Sequence, residues 1–381
     1  MASGPAADVF PAHGSAGCAG WPKTVYTALI LKSFRKEKRR NIVMKALFIG
    51  GTGTISTEIS RLCVRKGWDL TLLNRGRTAA LFPEGARLLK ADIGNEDELR
   101  SALEGQTWDV VADFIAFTPD QVERDIRLFE GRTSQYFFIS SASAYQKPLS
   151  SPWITEGTPL HNPFWLYSRN KAKCEQILRD AYDGRNFPVT IIRPSHTYCE
   201  RSVPVALHGA GGSFQVLERI RAGKRIIIPG DGTTLWTLTH SRDFAVAFEG
   251  LMGNAHALGE TYHITGDESL TWNQIHACVA AALGCELRAV HIPSETLGLL
   301  WPDMVGNLIG DKSNTVLFDN TKIKRAVPAF VQTTNFSRGA RECIAYIDAH
   351  PECRTPDPVF DNWCDRMLEA WDRAVETFPR Y

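Results

Sequence analysis

From residue 44 onward, short apolar runs alternate with stretches whose apolar residues recur at helical spacing. Residues 46–50 form an apolar run closed by glycines, 57–66 are amphipathic and end at Gly67, and 70–73 form a second run. The alternation continues through 88–90, a short helical pattern over 97–103, and apolar runs at 110–115, 136–139 and 189–192. Strands separated by helices at this spacing predict a parallel sheet with helices on both faces. Right-handed crossovers then give a doubly wound α/β fold whose ligands sit at the carboxyl ends of the strands.

Beyond Pro194 the texture changes. Residues 208–213 are glycine-rich, 215–221 and 241–252 read as helices, and Gly230-Asp231-Gly232 marks a turn. Thr271-Trp272-Asn273-Gln274 has the form of a capping box opening a helix that runs to Leu283. The predicted organisation is a nucleotide-binding domain over 44–195, then a smaller α/β substrate-binding lobe over 196–345 that is interleaved with the last sheet strands. A helical tail follows over 346–381, its stripe of Trp363, Met367, Leu368 and Trp371 docking on the core or on a sister subunit. Residues 1–43 differ in kind: Ala, Gly, Ser and Pro first, then a basic run. They are expected to be disordered or a non-native extension, with Met44 as the native start. Arg39-Arg40 encoded AGG-AGG would supply a ribosome-binding sequence for that start.

Composition narrows the classes. The 381 residues suffice for one large domain and a smaller appendage, and 44% hydrophobic with 22% charged residues is ordinary for a globular protein. A net charge of +1 offers no electrostatic ground for nucleic acid or an anionic membrane. No run reaches the roughly 18 apolar residues of a membrane span. Nine cysteines without a C-x-x-C pair or metal-ligand spacing suggest reduced thiols, no metal site and a cytoplasmic protein.

Three segments carry chemistry. Gly50-Gly51-Thr52-Gly53-Thr54-Ile55-Ser56 follows an apolar run and opens a helical pattern, the context in which such a loop cradles a dinucleotide pyrophosphate. Gly50 through Ile55 are therefore candidate cofactor contacts. The second strand ends in Asn74-Arg75-Gly76-Arg77 and offers no acid for a ribose hydroxyl. Guanidinium forks suit a 2′-phosphate, which tilts the choice from NAD toward NADP without closing it. Asp92-Ile93 fits an adenine contact. Tyr167-Ser168-Arg169-Asn170-Lys171 puts a phenol and an ammonium on one helical face. A Lys⁺ within about 4–6 Å lowers a phenol pKa of about 10. Tyr167 is then expected to exchange a proton with a substrate hydroxyl or carbonyl while hydride moves to or from a nicotinamide. Ser141, in Ser140-Ser141-Ala142-Ser143 at the end of a strand, is placed to donate to the same oxygen.

Taken together, these segments make the chain from Met44 to about Tyr346 resemble the extended short-chain dehydrogenase/reductase superfamily, in its NAD-dependent epimerase/dehydratase branch. The matching residues are Phe138-Ile139-Ser140-Ser141-Ala142-Ser143-Ala144-Tyr145, Tyr167 to Lys171, Arg193-Pro194, and Ile228-Pro229-Gly230-Asp231-Gly232. The resemblance implies a Rossmann fold and a catalytic set of Ser141, Tyr167 and Lys171, with Lys171 also bonding the nicotinamide ribose. It places Ile115 and Ala116 beside the cofactor, and Pro194, Ser195 and His196 near the nicotinamide. Ser143 and Trp236 fall on the substrate side. A homodimer through paired helices, one carrying Tyr167, is implied as well.

Two departures bear on the substrate. Trp236 stands where nucleotide-sugar epimerases carry an arginine for the substrate pyrophosphate, and Phe117 stands where a small residue is usual. Arg201, Arg221 or Arg242 are candidates to restore the charge. His196 and His240 are candidate acid/base groups, although such histidines more often serve structure. The leading function is epimerisation or dehydration of a sugar nucleotide or related sugar through transient hydride transfer. An NADP-dependent reductase of a smaller carbonyl compound is the alternative. A third reading, a non-catalytic nucleic-acid-binding relative, is weakened by the near-zero charge and the intact Tyr167–Lys171 pair.

Overall fold

The computed structural model describes residues 43–76 and 81–379. The expectations for residues 1–42 and for Arg77 lie outside those residues. Seven parallel strands are β1 (Lys45–Ile49), β2 (Asp69–Asn74), β3 (Arg87–Lys90), β4 (Val110–Asp113), β5 (Tyr136–Ile139), β6 (Val189–Pro194) and β7 (Thr261–Ile264). They lie side by side in the order β7-β6-β5-β4-β1-β2-β3. The order reverses between β1 and β4, where Ala46 pairs with Leu70 on one side and Val110 on the other. A crevice opens at the carboxyl ends of strands at such a reversal.

The apolar runs follow from burial on both faces. Along β1, Ala46 and Phe48 join one core with Ile59, Cys63, Phe244 and Phe248. Leu47 and Ile49 point the other way and join Val122, Ile126, Cys174 and Leu178. The helices follow suit: α1 (Ser56–Arg65) packs with a helix over Ser241–Leu251 on the first face, and α2 (Pro119–Phe129) with α3 (Leu166–Arg185) on the second. Thr118 and Gln121 cap α2 reciprocally, with Pro119 in its first turn. Phe248 touches Phe48, Phe114, Phe137 and Phe244, so truncating it would cost about 3–5 kcal/mol.

A second lobe has its own core around Trp236, Trp272, Ile275 and Phe336. It holds a three-stranded sheet of His196–Tyr198, Leu235–His240 and Ser269–Thr271. The capping box at Thr271 forms and opens the helix Trp272–Leu283. The chain returns to the main sheet through Ser241–Leu251 and β7, so the two lobes are interleaved.

The C-terminal helix, Pro358–Thr377, buries Met367 and Leu368 in this lobe's core, with Trp363 and Trp371 packed against it. The apolar stripe thus docks within the chain. The glycine-rich stretch before it has a packing reason. A Cβ on Gly209 would meet Phe360 at 2.6 Å, and one on Gly211 the Thr355 carbonyl at 2.8 Å.

Candidate active site

The Gly50 loop joins β1 to α1 at the sheet reversal. Gly50 has φ +89°, and a Cβ there would lie 2.8 Å from Ile115 Cγ2. One on Gly51 would lie 2.6 Å from Leu72. Both positions need glycine because the loop lies against the ends of β2 and β4. Ser56, at the third small position, donates to the Gly50 carbonyl and accepts from Gly53 N–H at 2.8 Å. The hydroxyl therefore ties the loop shut. No side chain caps α1, and its Thr57 amide already donates to the Gly53 carbonyl at 3.1 Å. A bare helix start beside a glycine-lined cradle fits a dinucleotide phosphate.

Other cofactor candidates line up along the same strand ends. Asn74 Oδ1 accepts from Gly76 N–H at 2.7 Å, and Asp92 Oδ1 from Gly94 N–H at 2.9 Å, so both side chains shape turns. Arg75 is exposed and has no hydrogen bond or ion pair among the described residues. Ile93 packs against the core beneath α2, and its carbonyl accepts from Arg124. Ile115 N–H is held by Asp113 at 2.6 Å, and the Ala116 carbonyl faces Lys171.

Tyr167 and Lys171 lie one turn apart on α3, as their spacing requires. Lys171 is 2% exposed, and its ammonium donates to the Ala116 carbonyl at 2.7 Å and the Ile139 carbonyl at 2.6 Å. The rings of Phe117, Phe138 and Tyr167 surround it with centroids at 4.6, 4.8 and 5.7 Å. Burial pulls its pKa down to about 8. Burial also pushes the Tyr167 phenol up, with the Ser141 hydroxyl pulling down and the Asp311 charge pushing up. The expected lowering by Lys171 is therefore corrected: its ammonium is committed to two carbonyls, and desolvation dominates the phenol. Tyr167 keeps its proton at neutral pH.

One turn further along α3, Glu175 accepts from Arg193 through both oxygens, at 2.9 and 2.6 Å, and from Ser140 at 2.6 Å. This buried network clamps α3 to β5 and β6 and so sets where Lys171 and Tyr167 stand. Ser141 shares a 2.8 Å hydrogen bond with Ser143, which also accepts from Ser168 at 2.8 Å. Asn162 donates to the Ser143 carbonyl at 2.8 Å and the Gly310 carbonyl at 2.7 Å, joining this turn to the opposite wall.

A cavity of about 410 Å³ opens at the meeting point of these parts. Thr54 and Ile55 of the glycine loop, Ser141, Ser143, Tyr167, Pro194, Ser195, His196 and Trp236 all line it. Trp236 packs against Trp272 with centroids 5.3 Å apart and the rings tilted by 32°. His196 is pushed down to about 3 by burial first and by the neighbouring Lys312 and His208, so it is neutral.

Several candidates lie elsewhere. His240 caps Ser241–Leu251 by accepting from Arg242 N–H at 3.1 Å. Arg221 pairs with Glu218 and Asp348, Arg242 pairs with Glu342, and Arg201 rests on Cys199. None of these arginines lines the cavity. Its cationic side chain is instead Lys312, which donates to the Ala206 carbonyl at 2.9 Å, beside Asp311.

Asp311, Lys312, Asn307 and His208 escaped the sequence reading. Asp311 and Lys312 sit in a π-helical turn, Leu308–Lys312, that no periodicity announces. The only trace is the polar Asp311-Lys312 pair after an apolar run. Burial lifts Asp311 to about 6 and lowers Lys312 to about 8. The Asp311 carboxylate has no hydrogen bond or ion pair among the described residues.

A doubly wound nucleotide-binding fold with a Tyr-x-x-x-Lys helix beside its glycine loop defines a nicotinamide-dependent enzyme of the short-chain dehydrogenase/reductase type. The chain belongs to the NAD dependent epimerase/dehydratase family, whose model matches residues 46–265. It is 30% identical over 261 residues to the chloroplast stem-loop binding protein of 41 kDa b of Arabidopsis thaliana, covering 65% of each chain. It is 24% identical over 252 residues to the 2′-dehydrokanamycin reductase of Streptomyces kanamyceticus, covering 66% of this chain and 70% of that one. Among solved structures, the NAD complex of dTDP-glucose 4,6-dehydratase from Bacillus anthracis superposes with a TM-score of 0.65 at 17% identity. That match covers 81% of this chain and 98% of the dehydratase. Among the described residues, no helix is long and apolar enough to cross a membrane.

Proposed function

We propose that the cavity carries out hydride and proton transfer at a hydroxyl- or carbonyl-bearing carbon of a sugar, in the leading case the sugar of a sugar nucleotide. The observation that supports this most is that the end of the glycine loop and the Tyr167 phenol line one cavity. A nicotinamide nucleotide bound at that loop supplies or takes the hydride. Gly50 to Ile55 hold its pyrophosphate, Ile115 and Ala116 flank it, and Arg75 favours a 2′-phosphate. Tyr167 gives its proton to the substrate oxygen or takes one from it. Ser141 donates to the same oxygen and orients it, while Lys171 keeps positive charge behind the phenol. Trp165, Trp236 and Phe318 offer apolar faces to a sugar ring, and Ser143, Asp311 and Lys312 meet its hydroxyls.

A second reading, net reduction of a keto-sugar or smaller carbonyl compound, has its own support. Tyr167 keeps its proton, as a donor to a carbonyl must, and no arginine lines the cavity to hold a diphosphate. Incubating the full chain with UDP-glucose and NAD, and separately with a keto-sugar panel and NADPH, tests both. Conversion of the sugar without net change in nucleotide supports epimerase or dehydratase chemistry. Stoichiometric NADPH consumption supports reduction. Neither conversion, together with tight stem-loop RNA binding, would contradict hydride transfer altogether.

A further inference from the structure

Lys171 has one feature that its two carbonyl partners do not explain. Three rings surround its ammonium, and they differ in freedom. Phe138 is fully buried in the strand, and Tyr167 lines the cavity from α3. Phe117 stands closest, with its centroid 4.6 Å from Nζ, and is 44% exposed. Its backbone is anchored, because Gln121 Oε1 accepts from its N–H at 2.6 Å as part of the α2 cap. The ring is therefore a side chain on a fixed hinge, nearly half in solvent, whose ring contacts are the Lys171 ammonium and the Tyr167 ring at 6.3 Å. Phe117 also directly follows Ile115 and Ala116, the segment that runs alongside Gly50.

Two of the three ammonium donors of Lys171 are spent on the Ala116 and Ile139 carbonyls, so a single donor remains for a ligand. The Phe117 ring lies over this ammonium, held by cation–π attraction. We propose that Phe117 is a gate on the cofactor side of the site: its ring occupies Lys171 in the free protein, must turn outward for a nucleotide ribose to reach the lysine, and so weakens and speeds the exchange of the nicotinamide nucleotide. The inference rests on the reading that Lys171 serves such a nucleotide. It adds that this chain uses the nucleotide as an exchanging cosubstrate rather than a retained group, which suits net reduction better than internal recycling.

The gate is tested by fluorescence titration of NADPH, and separately of NADH, into the full chain and its Phe117→Ala and Phe117→Leu variants. A competing contact of ordinary cation–π strength converts to about a threefold to tenfold change in Kd. Phe117→Ala is expected to bind both nucleotides tighter by that factor and to release them more slowly. Phe117→Leu, which keeps bulk but not the π face, is expected to fall between. In a Lys171→Met background, Phe117→Ala should lose most of its effect, because the cation that holds the ring is gone. An unchanged or raised Kd in Phe117→Ala would overturn the gate while leaving the nicotinamide reading in place. If folded wild type and both variants bind neither nucleotide, the nicotinamide reading fails and the gate with it.

Discussion

The two walls of the cavity are built by different means. On the cofactor side, regular elements do the placing: a loop between β1 and α1, the ends of β4 and β5, and one face of α3. Lys171 is held there by two carbonyls, and the Arg193–Glu175 pair bolts its helix to the sheet. On the substrate side, the wall is a run of short turns over residues 305–318, ending in a two-residue strand, Leu317–Phe318. Lys312 is held by a single carbonyl, with the Trp272 ring 5.5 Å away. A Cβ on Gly306 would strike Trp165 at 2.3 Å, and one on Gly310 would stand 3.0 Å from Phe164. That wall is set by close approach rather than by periodic structure. The first wall is thus set by regular elements and the second by local close contacts.

Substitutions on the two walls should therefore fail differently. Tyr167→Phe should give the largest effect, lowering turnover by about 10²–10⁴-fold while nucleotide Kd stays within about twofold. Parallel rate and titration measurements check this, and normal turnover would remove Tyr167 from the chemistry. Arg193→Met should come next, because it leaves the buried Glu175 carboxylate with only Ser140 and a longer contact to Arg179 at 3.5 Å. A loss of about 3–5 kcal/mol in urea unfolding is expected. A loss under 1 kcal/mol would mean the clamp is dispensable.

Lys171 gives a pH signature in which stability and activity diverge. Burial lowers it to about 8 from 10.5, so the unfolded chain holds the proton more tightly. The cost of burying the ammonium is fully present below pH 8 and disappears as pH rises from 8 to 10.5. Relative to Lys171→Met, the wild type should gain about 3 kcal/mol across that window, read from paired urea melts. Turnover should fall earlier, as pH rises through about 8, where the folded protein loses the positive charge behind Tyr167. A stability difference that stays flat would show that Lys171 titrates elsewhere.

On the substrate wall, Asp311→Asn should raise KM about tenfold, the worth of one charged hydrogen bond. A large change in kcat with constant KM would instead put Asp311 in the chemistry. The smallest effect is expected at Arg75→Ala. NADPH should bind about fivefold more weakly, NADH should be unaffected, and the difference should shrink as salt is raised. Equal effects on both nucleotides would remove Arg75 from cofactor choice.

The same contrast explains what could be read in the sequence. The strand runs were visible because both faces of β1, β4 and β5 are buried, and Gly50 because its conformation excludes side chains. The Tyr167–Lys171 spacing was visible because α3 is regular there. The sign of the Tyr167 shift was missed, since spacing records proximity but not how much water is removed from the phenol. Asp311 and Lys312 were missed because a π turn carries no periodic mark. The arginines proposed as charge replacements failed for a related reason: Arg221 and Arg242 have acidic partners on other elements, Asp348 and Glu342, that sequence distance conceals.

The central claim is that the glycine loop and the Tyr167–Lys171 pair form one nicotinamide site. A crystal structure of the full chain grown with NADP, and with NAD, tests it most directly. The account predicts the pyrophosphate on the amides of Thr54 and Ile55, the nicotinamide facing the cavity beside the Tyr167 hydroxyl, and the Phe117 ring turned off Lys171. A nucleotide bound away from Tyr167, or one whose ribose leaves Lys171 under Phe117, would contradict it.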